Sequence, residues 1–167
     1  DLGATGKADE VIKVPGTSTR LIVFTGLGKA CAHYDHEVLR RAAGAAARAL
    51  AGNSSATFSL PAKSAAGVKA IAEGAALGSY LFDQFRGSTK SAQKAPLKSI
   101  TIHSDLAGKA DVKALAKSAE IIGTYTNLVR DLINTPPSHL TPETFCKAIT
   151  DAVKKAGGAS AGLKVSV

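Results

Sequence analysis

Cys31, His33, Asp35 and His36 fall within the six-residue stretch CAHYDH. A thiolate, imidazoles and a carboxylate are all ligands that zinc accepts. Their spacing matches no common zinc finger, and no second cluster supplies the remaining ligands, so an exposed loop is the simpler expectation. Just upstream, TGLGKA (25–30) follows a strand-like run and precedes a helical one, where a phosphate-cradling glycine turn would sit. Gly26 and Gly28 fit the first two glycines of a dinucleotide fingerprint, but Cys31 stands at the third position. The run does not end in the Gly-Lys-Ser/Thr of a P-loop either. A tight exit from the strand explains the glycines equally well. His103 and Asp105 stand apart from every other candidate. His139 and Cys146 are seven residues apart across a helix start, and Cys146 reads as semi-buried packing. The chain has no G-x-S-x-G elbow and no H-E-x-x-H.

Composition bounds the remaining possibilities. The chain has 167 residues, 45% hydrophobic and 20% charged, the balance of an ordinary globular protein. No run approaches the eighteen or so apolar residues of a membrane helix, and no charged-then-apolar signal opens the chain. Two cysteines are too few for a disulfide framework and fit reduced thiols in a cytosolic protein. The formal charge of +8 raises the question of a polyanion partner. Yet the lysines are scattered, and the densest run, RGSTKSAQKAPLK (86–98), has no aromatic to stack a base. That argues against nucleic acid.

The elements that must position these residues alternate. VIKV (11–14), RLIVFT (20–25), SATFSL (55–60), LKSITIH (97–103) and LKVSV (163–167) carry the β-branched and aromatic residues of strands. RLIVFT is apolar without alternation, as in a strand covered on both faces. Asp35 is placed to cap a helix in which Leu39, Ala42, Ala43, Ala46 and Leu50 recur at helical spacing. A second helix starts behind Ser64 and runs to about Phe85. Gly74 and Gly78, one turn apart, predict a close backbone approach there, since each costs a helix about 1 kcal/mol relative to alanine. A third helix, from about Asp111 to Ile133, sets Val112, Leu115, Ala119, Ile122, Val129, Leu132 and Ile133 on one stripe, long enough to connect two bodies. It stops at Pro136-Pro137. A fourth begins at once, with Thr141 as cap, Pro142 at the first position and Glu143 at the positive end of the dipole, and ends at Gly157-Gly158. Strand–helix alternation predicts an α/β fold with a mostly parallel sheet and helices on both faces.

RDLINTPPSHLTPETF (130–145) resembles the junction segment of the leucyl (cytosol) aminopeptidase family. LIVFTGLGK, EVLRRAAGAAARAL and AEGAALGSYLFDQF resemble, in order, that family's strand and turn, its alanine-rich helix and its E-G-x-x-L-G helix. The resemblance implies a three-layer, macro-domain-like α/β domain with a mixed or mostly parallel sheet over 1–108, its first strand missing. It further implies a connecting helix over 109–133, and over 134–167 the edge of an otherwise absent catalytic domain. Members remove N-terminal amino acids from peptides with two divalent metals, zinc or manganese, in cytoplasmic homo-hexamers. Their metal-ligand motifs, resembling V-G-K-G-x-T-F-D-S-G-G and N-T-D-A-E-G-R-L, do not occur here, and Pro136-Pro137 stand where the second would continue as Asp-Ala. The resemblance therefore assigns no catalytic, cofactor-binding or metal-ligating residue to the chain. It describes the non-catalytic front of a metallo-aminopeptidase, whose partners are the catalytic domain of the same polypeptide and, for the whole enzyme, peptides. A second reading rests on the glycine turn and the charge: a stand-alone macro-like module binding a nucleotide, ADP-ribose or nucleic acid.

Overall fold

In the computed structural model, which describes residues 3–166, an antiparallel hairpin comes first. Its strands are β1 (Val11–Pro15) and β2 (Leu21–Thr25), with Ile12 opposite Phe24 and Val14 opposite Ile22. A parallel pair follows, β3 (Ser55–Phe58) with β4 (Ser99–Ile102), in the register Ser55–Ser99 to Phe58–Ile102. Between and after them lie α1 (His36–Ala49), α2 (Ala65–Gly78), α3 (Ala110–Asn134) and α4 (Pro142–Lys155). The architecture is the expected mixed α/β type, with small sheets and helices on both sides.

The caps form where the sequence places them. The Asp35 carboxylate accepts from the Glu37 amide at 2.7 Å, and the Ser64 hydroxyl accepts from the Gly67 amide at 3.1 Å. Thr141 and Thr144 close a reciprocal capping box at the start of α4, behind Pro142. α4 ends at Lys155, and Gly157 adopts φ +108°, a left-handed conformation that glycine reaches without strain.

The core lies where α1 and α2 meet the strands. Leu39, Ala43, Ala46, Ala47 and Leu50 of the α1 segment pack with Ile71 and Ala75 of α2, and with Phe58 and Leu97. Alanine fills α1 because its neighbour sits too near for anything larger. A Cβ on Gly74 would lie 2.0 Å from the Arg40 carbonyl oxygen, and one on Gly78 would lie 2.4 Å from that of Gly44. The two glycines mark the backbone contact that their spacing predicts. Glu73 stands beside this contact, buried, accepting from Arg40 at 3.0 Å with Lys69 Nζ at 3.6 Å. Arg40 also pairs with Glu37. Partial burial lowers the Arg40 pKa, but its hydrogen bonds to Glu37 and Glu73 outweigh that and raise it, so the guanidinium stays charged.

Four expectations need correction. α2 stops at Gly78, with Ser79 as its C-cap, and does not reach Phe85. β2 is covered on one face only: Leu21 and Val23 pack on the core, whereas Ile22 and Phe24 are 41% and 57% exposed. LKVSV forms no strand over 163–166, where no partner strand lies alongside, and Val167 is outside the described residues. On α3, Val112 and Ala119 are buried together with Gly123, but Ile122, Val129 and Ile133 are exposed, because the helix outruns what it packs on. Among the described residues no helix is long and apolar enough to cross a membrane.

The chain divides into two compact units, Asp1–Asn127 and Leu128–Val167. Every site considered below lies within one of them.

Candidate functional site

The glycine turn after β2 stands where an anion cradle would, but its Gly26 and Gly28 amides are already engaged. The Gly26 amide donates to the Glu10 carbonyl at 2.8 Å, and the Gly28 amide to the Gly6 carbonyl at 3.0 Å. Asp9 in turn donates to the Gly26 carbonyl. Gly26 is required because a Cβ there would fall 1.9 Å from the Lys7 carbonyl oxygen, and Gly28 because its φ is +81°. These residues dock the segment 6–10 against the end of β2. A phosphate held by the same amides would have to displace that segment. α1 begins only at His36, so no helix N-terminus opens directly from the turn.

Glu10 organises the segment from its other side. Its carboxylate accepts from the Thr5 amide at 3.0 Å, the Thr5 hydroxyl at 3.0 Å and the Gly6 amide at 2.6 Å. Desolvation raises its pKa, but the donors together outweigh it, so the group sits below its ordinary value. The lowered value sets the sign of the pH effect. This clasp is complete above the ordinary glutamate range and is lost as pH falls through the folded value, which lies below that range. In an NMR titration the Thr5 and Gly6 amide shifts should therefore move with a midpoint under that of a free glutamate. A midpoint at or above it would contradict the clasp.

Elsewhere the structure separates the candidate ligands. Cys31 is exposed, and its thiol lies 3.1 Å from the His33 carbonyl. Asp35 is occupied as the α1 cap, and His36 Nε2 lies 3.4 Å from the Ser64 hydroxyl. His103 and Asp105 are exposed in the loop after β4. His139 is exposed with its ring against Ser138, and Cys146 is half-buried on α4, as expected of a packing residue. Among the described residues no three His, Cys, Asp or Glu side chains converge as metal ligands would.

Sequence reasoning missed a cleft between β2 and β3. Its volume is about 590 Å³, and Ala46 and Leu50 lie among its lining residues. The only signal that could have found it was the length and apolarity of RLIVFT, which asks for more neighbours than the hairpin gives. A second groove of about 650 Å³ runs between α2, β4 and the first half of α3, apolar within and edged by Lys98, Lys113 and Lys117.

Residues 2–90 match the profile of the cytosol aminopeptidase family, N-terminal domain. The chain is 42% identical over 181 residues to a probable cytosol aminopeptidase of Streptomyces avermitilis, covering 99% of this chain and 34% of that protein. Its likeness to the corresponding protein of Mycobacterium leprae is 36% over 173 residues, covering 99% and 31%. The chain thus spans about a third of the length of the curated relatives it matches. Among solved structures, the bottromycin maturation enzyme BotP in complex with Mn superposes with a TM-score of 0.75 at 26% identity, over 93% of this chain and 32% of that one. A tomato leucine aminopeptidase mutant shares the fold, with a TM-score of 0.69 over 90% of this chain and 30% of its own. The profile covers more than half of the chain and the relatives align along almost all of it, so the chain belongs to the cytosol aminopeptidase family and carries that family's N-terminal domain.

Proposed function

We propose that this chain serves as the non-catalytic N-terminal portion of a two-metal leucyl aminopeptidase, a cytoplasmic enzyme that removes N-terminal amino acids from peptides. The observation that carries this reading is the alignment: nearly the whole chain matches only about a third of relatives named as aminopeptidases, and residues 2–90 match that family's N-terminal domain. The described residues are used structurally, with the glycine turn docking 6–10 and Asp35 capping α1. Residues 109–133 act as the connecting helix, and 134–167 form the leading edge of a catalytic domain supplied by the rest of the polypeptide. Within the second unit Val129, Ile133 and Phe145 are each at least 44% exposed, an apolar display that fits coverage by such a domain. Zinc or manganese ions would be held in that domain, which assembles as a homo-hexamer. When bound, such ions polarise the scissile carbonyl and lower the pKa of a bound water.

Calorimetric titration of Mn²⁺ into residues 1–167 tests the division of labour. The expected result is no saturable site, and binding of two ions per chain would overturn the reading. The occupied amides at Gly26 and Gly28 favour no nucleotide role for the turn, so the second reading gains nothing from the geometry.

A further inference from the structure

We propose that the groove between α2, β4 and the first half of α3 docks an extended, acidic peptide segment of another protein, added to β4 as an outer strand. α3 is held close to α2 at Gly123, where an added Cβ would lie 2.9 Å from that of Ala76. Ahead of that point about 650 Å³ stays open between the helices and β4. Val68, Ala72 and Ala76, one turn apart, supply the apolar lining from α2, and Val112 and Ala116 supply it from α3. From β4 come Ser99, Ile100 and Ile102, whereas no residue of β3 contributes. The groove thus runs along the edge that β4 turns away from β3. In the parallel ladder Ser99 donates to the Ser54 carbonyl at 3.1 Å and His103 to that of Phe58 at 2.8 Å. Residues 99, 101 and 103 therefore face β3, and the alternation points the N–H and C=O groups of Ile100 and Ile102 outward. Among the described residues no strand pairs with that side.

An open edge beside an apolar groove is the arrangement in which peptides bind by strand addition. Backbone bonds then give affinity, and alternate side chains entering the groove give specificity. Charge selects the occupant. Lys98, Lys113 and Lys117 border the groove, and the one acid among its described lining residues is Glu120. Glu120 pairs with Lys117 at 2.9 Å, whereas Lys98 and Lys113 make no ion pair with a described residue. Both are exposed, so they reach a ligand without breaking an existing bond. Lysines beside an open edge repel a basic strand, a second copy of this +8 chain included, and admit an acidic one. The occupant is therefore a strand with branched apolar residues at alternate positions, which meet Ala72 and Ala116, and with carboxylates between and beyond them.

The test is fluorescence anisotropy with the full polypeptide and the peptide DVTVEVD, its N-terminus closed by fluorescein so that no aminopeptidase trims it. Saturable binding is expected, and Lys98→Glu combined with Lys113→Glu should weaken it about tenfold or more. Because both lysines are exposed, the double variant should keep the urea midpoint of the wild type. N-methylation of two consecutive central amides of the peptide keeps every side chain but removes one donor that faces β4, since successive amides of a strand point to opposite sides. It should weaken binding by a similar factor. No saturable binding, or binding that survives either change, would overturn the proposal. So would tighter binding of a DNA duplex that the same two substitutions abolish, because the groove would then belong to a nucleic acid. Each result leaves the family assignment intact, because that rests on the alignment.

Discussion

Replacing Gly74 with alanine should destabilise the unit that ends at Asn127 by about 3 kcal/mol or more, and at the upper end of the range prevent folding. Alanine is the better helix former by about 1 kcal/mol, so an exposed helical glycine would give the opposite sign. Here the added Cβ falls 2.0 Å from the Arg40 carbonyl oxygen and 2.9 Å from the Arg40 Cα. Those are backbone atoms and cannot rotate aside, so α1 and α2 must part. Parting them opens the layer that holds Leu39, Ala43, Ala46, Ile71 and Ala75. Urea unfolding of Gly74→Ala beside Gly108→Ala checks the claim. Nothing lies within 4 Å of a Cβ on Gly108, and that change should stay within about 0.5 kcal/mol. A stabilised Gly74→Ala variant would show that the helices do not meet as described.

Glu73→Ala should cost about 2 kcal/mol, next in size. The carboxylate is buried and joins Arg40 on α1 to Lys69 one turn before it on α2. Removing it breaks charge-assisted hydrogen bonds and leaves a gap beside Gly74. The cost stays below that of a fully buried pair because Arg40 is about one-third exposed and keeps Glu37. Glu73→Gln retains the volume and an acceptor for Arg40, so it should recover about half of the loss. Equal stability of wild type and Glu73→Ala in urea unfolding would place the helix pairing entirely on the apolar contact.

Signals confined to a few residues proved the most legible. Asp35, Ser64 and Thr141 cap the helices they precede, because a cap is decided by one side chain and an amide two or three residues on. Gly74 and Gly78 announced a close approach without naming its partner, since the Arg40 and Gly44 carbonyls lie more than thirty residues away in sequence. Ser79 was harder to read. It is the C-cap of α2, and the apolar residues Tyr80, Leu81 and Phe82 that follow disguised that stop. For the glycine turn, position alone pointed equally to a phosphate cradle and to a strand exit. The partners that decide it, the Lys7, Gly6 and Glu10 backbone, come from a segment with no strand or helix pattern. The two-sided apolarity of RLIVFT describes a burial that β1 and α1 alone do not supply, which is why the cleft beside β2 was invisible to periodicity.

The proposed function divides the work between this chain and a catalytic domain that would be supplied by a longer polypeptide. Hydrolysis of leucine p-nitroanilide in the presence of Mn²⁺ tests that division most directly, with residues 1–167 and the full polypeptide assayed side by side. The account predicts metal-dependent release of nitroaniline by the full polypeptide and none by residues 1–167. Metal-dependent turnover by residues 1–167 alone would contradict it.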